Sequence, residues 1–216
     1  MDPFRFCLAL GPVAIYVLLL GAINFSRRPL LVPGTRDAAA LGLAVSGFLI
    51  VGPIELFFPD AAAVRFEAFV WLLLLALYAL CLLLILLLLR PRLIIYNISA
   101  DQVRSILAEL VEQLDPNARW AGDTLALPGL GVQLHVDYVA AMRNVSLSSV
   151  GPHQNHAGWR RLETALAPAL SQVEVRRNPG GAGLLGAGVL MATLLVLVVI
   201  RDPQAVAQTL FEMLQL

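Results

Sequence analysis

No lysine occurs in this chain; all fifteen basic residues are arginine. Fifteen acidic residues balance them, so the formal net charge is zero, and the excess of positive charge expected of a nucleic-acid partner is missing. Cysteine is scarce as well. Cys7 and Cys81 each lie inside an apolar run and read as small hydrophobes, with no Cys-x-x-Cys or Cys/His zinc spacing and no disulfide framework. Charged residues make up only 14% of the chain, against about 25% in an ordinary globular protein. There is also no GxxxxGK[ST], no GxGxxG after a strand, no GxSxG and no HExxH. Those absences remove the nucleotide-loop, nucleophile-elbow and zinc-protease readings and leave no motif for a cofactor.

What the chain has in excess is apolar sequence, 59% of residues, with a mean hydropathy of +0.79. The excess is concentrated in four runs, at about 4–24, 38–58, 68–89 and 183–200. Each approaches the roughly 20 residues that cross about 30 Å of hydrocarbon at about 1.5 Å per residue. The third, AFVWLLLLALYALCLLLILLLL, carries no charge. The first run exceeds a signal-peptide core of about 7–15 residues and precedes no small-x-small cleavage site, so it reads as a retained helix. The sequence thus predicts an integral, multi-pass membrane protein with four transmembrane helices and the lipid bilayer as its first partner.

Arginine placement sets the expected orientation. Arg27, Arg28 and Arg36 follow the first run, Arg90 and Arg92 follow the third, and Arg176 and Arg177 precede the fourth. The loop after the second run has only Arg65, and only Arg201 follows the fourth. Arginine-rich flanks stay on the cytoplasmic side. The first loop and the segment 90–179 are therefore expected in the cytoplasm, with both termini outside, in an inner or plasma membrane of bacterial type.

The expected division is residues 1–89 for three spans, 90–179 for a cytoplasmic domain, 180–201 for the fourth span and 202–216 for a terminal helix. Within 90–179, RLIIYNI is short, β-branched and aromatic, as a strand is. Ser99 and Gln102 have capping-box spacing, and Val103, Ile106, Leu107, Leu110 and Leu114 then recur at helical period until Asp115-Pro116. TLAL and VQLHVDYV flank the turn PGLG, and NVSLSSV follows. Val132, Leu134, Val136 and Tyr138 alternate with Gln133, His135 and Asp137, the period-two pattern of a half-buried strand. A second helix is predicted over about 157–173, kinked or divided at Pro168. A last strand is predicted at VEVRR. The order β-α-β-β-β-α-β describes an α+β sandwich. It is similar in layout to ferredoxin-like domains with one extra strand, a resemblance confined to this domain that implies no function. After the fourth run, Asp202-Pro203 starts an amphipathic helix with Val206, Leu210, Met213 and Leu214 on one face.

Four features are candidates for function. His135 and Asp137 share a strand face, and His153 and His156 form an H-x-x-H pair. Together they supply donors for a transition metal or for acid–base work, and the competing reading is a wet sheet face beside a polar loop. Glu55, near the outer end of the second run, is either an ion-pathway carboxylate of a small transporter subunit or an interfacial group paired with Arg65 or Arg5. Small residues in the fourth run stand four apart, with Ala182 facing Gly186, Gly183 facing Ala187 and Gly188 facing Ala192. They suit close helix packing, within the chain or against a membrane protein partner or second copy. Asn97-Ile98-Ser99 and Asn144-Val145-Ser146 are glycosylation sequons that matter only in a secretory lumen. The reading that unites these observations is a non-enzymatic module, protein-interacting or regulatory, held at the membrane by its helices.

Overall fold

The computed structural model describes residues 3–54 and 69–214. In chain order these form α1 (Pro3–Phe25), β1 (Leu30–Pro33), α2 (Gly34–Leu49), a π turn (Ile50–Ile54) and α3 (Phe69–Leu88). There follow β2 (Arg92–Tyr96), α4 (Ala100–Leu114), β3 (Arg119–Ala121), β4 (Thr124–Leu127), β5 (Val132–Val139) and β6 (Asn144–Ser149). The chain continues through α5 (His156–Ser171), α6 (Pro179–Arg201) and α7 (Pro203–Leu214). They divide into two compact units. One holds residues 1–19, 39–88 and 185–216, and the other residues 20–38 and 89–184.

The first unit is helical. Four helices, Pro3–Phe25, Gly34–Gly52, Phe69–Leu88 and Pro179–Arg201, are long and apolar enough to cross a membrane. Only 6% of the α3 stretch is buried inside the protein, and Leu72, Leu73, Leu77 and Leu80 are more than half exposed. A surface this apolar has no place in water, and it matches a helix that meets lipid. Where the helices touch, small residues let them approach. Gly47 of α2 lies against the Leu8 and Ala9 carbonyls of α1, beside buried Ala14 and Ala44. Gly188 of α6 faces Leu18 of α1. The Tyr78 hydroxyl of α3 donates to the Gly42 carbonyl of α2 at 2.6 Å. Close packing at small residues and hydrogen bonds of this kind are what hold apolar helices together where lipid surrounds them. The second apolar helix ends in a π turn that contains Pro53, which has no N–H for the Leu49 carbonyl four residues back.

The second unit is an α+β sandwich around one six-stranded sheet of order β1-β2-β6-β5-β4-β3, with every neighbouring pair antiparallel. Leu93 and Ile95 of β2, Leu125 and Leu127 of β4, Val132 and Leu134 of β5, and Val145 and Leu147 of β6 point to one face. Both helices cover that face, α4 through Val103, Leu107 and Val111 and α5 through Trp159, Leu162, Leu166 and Leu170. The expected capping box forms at Ser99, whose hydroxyl accepts from the Gln102 N–H while the Gln102 side chain accepts from the Ser99 N–H. The PGLG turn closes through a 3₁₀ turn and Gly131 in the left-handed region at φ 62°, which glycine adopts without strain.

Three expectations are corrected. VEVRR forms no strand. The place beside β2 is taken by β1, whose four residues pair from Leu30↔Tyr96 to Pro33↔Leu93. Val175 is buried in the core and donates its N–H to the Arg27 carbonyl at 2.9 Å, so this segment packs without entering a ladder. β1 and β3 fall in segments expected to be loops, being too short for a period-two pattern to be read, and Pro33 is compatible with an edge strand. Finally, α5 is not divided at Pro168 but continues to Ser171, because the missing donor falls in the last turn, where little helix remains to be broken.

The two halves of this unit are tied by buried polar groups. Asn97 is fully buried in the left-handed region at φ 59°, which asparagine tolerates better than most residues. Its side-chain amide donates to the Ser26 carbonyl at 2.8 Å. Asp115, 2% exposed, accepts from the Asn117 N–H at 3.0 Å and the Gly129 N–H at 2.7 Å, pinning the end of α4 to the β4–β5 turn. Replacing it by alanine strands the Gly129 donor and removes two charge-assisted bonds. Asp115→Ala should therefore lower unfolding stability by about 2–4 kcal/mol, against about 0.5 kcal/mol for exposed Asp101→Ala. Chemical denaturation of the purified protein in mild detergent measures both.

Candidate functional site

The helix-free face of the sheet carries a polar row. Period two places Thr124, His135, Asp137, Ser146 and Ser148 on this side of β4, β5 and β6. Thr124 Oγ1 lies 3.2 Å from His135 Nδ1, His135 Nε2 lies 3.4 Å from Asp137 Oδ1, and the Ser148 hydroxyl donates to Asp137 Oδ2 at 3.2 Å. The order hydroxyl, imidazole, carboxylate is that of a nucleophile with its base and orienting acid. The surroundings differ from those of such a site. The side chains of His135 and Asp137 are 41% and 52% exposed, so water screens the pair and leaves it worth about 0–1 kcal/mol. Beside the row is a depression of about 330 Å³ lined by Ala100, Asp101, Arg104, Asp123 and Tyr138 as well as by the pair itself. Arg104 bonds to Asp123 across it and lies over the Trp120 ring, 5.9 Å from its centre.

The other two histidines come from the segment that leads into and opens α5. His153 is exposed in the loop before α5, and His156 is the first residue of α5. His156 lines a second depression of about 390 Å³ together with Pro33, Arg92, Trp159, Arg160 and Glu163. The structure brings His135 to Asp137, and places His156 in a different depression from that pair. No three His, Cys, Asp or Glu side chains converge to hold a metal among the described residues.

Asp37, in the first turn of α2, was not singled out by the sequence. Its carboxylate pairs with Arg92 at 3.2 Å and accepts from the Tyr96 hydroxyl. The partners are 55 and 59 residues away in the chain, so only the β1–β2 register reveals them. Gly34 makes the pair sterically feasible, because a Cβ there would collide with the Arg92 stem.

In α6, the small residues separate by environment. Gly188 is buried against α1, and Ala192 is half-buried. Gly183, Gly186 and Ala187 are exposed, with open space beside both glycines. Among the described residues, Gly188 makes a close helix contact and Gly183 and Gly186 make none. In α7, Thr209 is buried and Val206 half-buried, whereas Leu210 and Phe211 are exposed. Glu55 and Arg65 lie outside the described residues. Cys7 and Cys81 are both free thiols. The first sequon is closed by burial, since the Asn97 amide is inside and bonded to Ser26.

No protein-family model matches the chain, and neither a curated protein nor a solved structure does.

Metal–ligand bonds of about 2 Å require three or four donors on one point, and the His135–Asp137 pair supplies two. Incubation with EDTA should leave the thermal unfolding midpoint of the purified protein within about 1 °C. A fall of several degrees, recovered by zinc and absent in His135→Ala, would place a metal on the sheet face.

Proposed function

We propose that this protein is a membrane-anchored module whose α+β domain, of ferredoxin-like layout with β1 as its outer strand, binds an extended segment of a partner protein. In this reading the four apolar helices span an inner or plasma membrane, the domain faces the cytoplasm, and both termini lie outside. Arginine at the ends of the apolar runs nearest the domain supports that orientation.

The observation that carries the docking reading is the end of β5. Alternation fixes where its backbone groups point. The Gln133 carbonyl accepts from Val150 N–H on the β6 side, and the Val136 N–H donates to the Asp123 carbonyl on the β4 side. Tyr138 is in phase with Val136, so its backbone faces the β4 side too. There the last β4 partner is Thr124, opposite His135. The strand thus runs four residues past its neighbour. Next to this open edge, Tyr138, Val139 and Met142 are 43%, 52% and 41% exposed. An edge with unclaimed backbone groups beside apolar side chains is the surface that strand addition uses, backbone bonds giving affinity and alternate side chains giving selectivity. The polar row of His135 and Asp137 then borders the incoming strand.

Photo-crosslinking in native membranes tests this. A benzoylphenylalanine at position 138 or 142 should yield one discrete protein adduct, weakened in a Val139→Asp background. The same probe at Glu109, on the exposed side of α4, should yield none. Adducts to lipid alone at 138 and 142 would reject partner docking in favour of a membrane-dipping hairpin.

A further inference from the structure

The depression containing His156 is built differently from the sheet face. Its walls are apolar where Pro33, Pro91, Leu93 and Trp159 line it, and Arg92 and Arg160 bring two guanidinium groups to it. Glu163 is its one acidic lining residue. Arg160 has no ion-pair partner among the described residues. Arg92 is held by Asp37 through one terminal nitrogen, while its Nε–H is shielded from water and has no acceptor among the described residues. That nitrogen is sealed from solvent, so contact with a ligand falls to the rest of the Arg92 side chain, which is 37% exposed. The volume of about 390 Å³ is that of a small-ligand site.

Chain connectivity sets the level of this cavity. Gly34 and Thr35 open the second apolar helix, and Pro91 follows the last residue of α3, Leu88, by three positions. Residues that open one bilayer-length helix or follow another by three positions are within reach of lipid headgroups wherever those helices end at a bilayer surface. Arginine presents a planar fork that matches phosphate oxygens, and tryptophan favours the same interfacial zone.

We propose that this cavity binds a phosphate oxyanion, presented by the headgroup of an anionic phospholipid. Arg160 and Arg92 hold the phosphate oxygens, and His156 stands at the rim. Pro33, Pro91, Leu93 and Trp159 cover the glycerol end, and Glu163 limits affinity by repulsion. The site is separate from the β5 edge and does not depend on the docking function.

The test uses the full chain in a non-ionic detergent, with lipid retention followed by native mass spectrometry and thermal unfolding. Dioleoylphosphatidylglycerol, dioleoylphosphatidylcholine and inorganic phosphate are the probes. Phosphatidylglycerol should be retained as one copy, about fivefold more strongly than phosphatidylcholine. Arg160→Gln should weaken it about fivefold, the effect of one interfacial charge, and Glu163→Gln should strengthen it by a similar factor. A gain on Glu163→Gln cannot come from misfolding, which keeps the proposal falsifiable if Arg160→Gln disturbs the fold. Stabilisation by inorganic phosphate with the same variant pattern, and no preference for phosphatidylglycerol, would keep the oxyanion site and assign its source to soluble phosphate. Equal retention of both lipids with no phosphate effect would overturn the proposal, as would a preference unmoved by either variant.

Discussion

The pairing of β1 with β2 is the contact on which the rest of the domain depends. A four-residue strand from the segment between α1 and α2 completes the sheet, and it does so at the edge where an exposed β2 would otherwise present unpaired backbone. Three further links follow from that register. Asp37 reaches Arg92 and Tyr96, Asn97 reaches Ser26, and Val175 reaches Arg27. Each joins the segment after the first helix to residues more than fifty positions away. The compact unit therefore takes in residues 20–38 as well as 89–184.

The long periodic elements were legible in the sequence. Four apolar runs, the Ser99 capping box, the stripes of α4 and α5 and the alternation of β5 all rest on local pattern, which the structure repeats. What was not legible depends on long-range partners. Leu30–Pro33 is too short to display a period, and VEVRR has the β-branched composition of a strand but finds its sheet position already filled. The candidate site divides the same way. Residues two apart on one strand, such as His135 and Asp137, are bound to share a face. Whether His156 joins them depends on the path of the chain between β6 and α5, which carries no periodic signal. Asp37 was invisible because a charged residue near the start of an apolar helix normally reads as a flank.

The two depressions of the domain differ in physical character. The one beside Asp137 is a wet, half-exposed sheet face ending in an open strand edge, suited to contacts made by backbone and surface side chains. The one beside Arg160 combines proline, leucine and tryptophan walls with guanidinium groups, suited to a ligand with one charged end. Both are built on the same sheet core, with Trp159 serving at once as a core residue of α5 and as a wall of the second depression. Its indole N–H is satisfied by Gln154 at 2.9 Å, which fixes the ring that both roles require.

The position of β1 in the chain also sets an order of assembly. During synthesis the edge strand emerges about sixty residues before its partner β2, and two bilayer-length helices are made in between. The sheet therefore cannot close until α2 and α3 have both been produced. Until then β1 has no partner strand, so closure of the domain core is tied to the completion of both apolar helices.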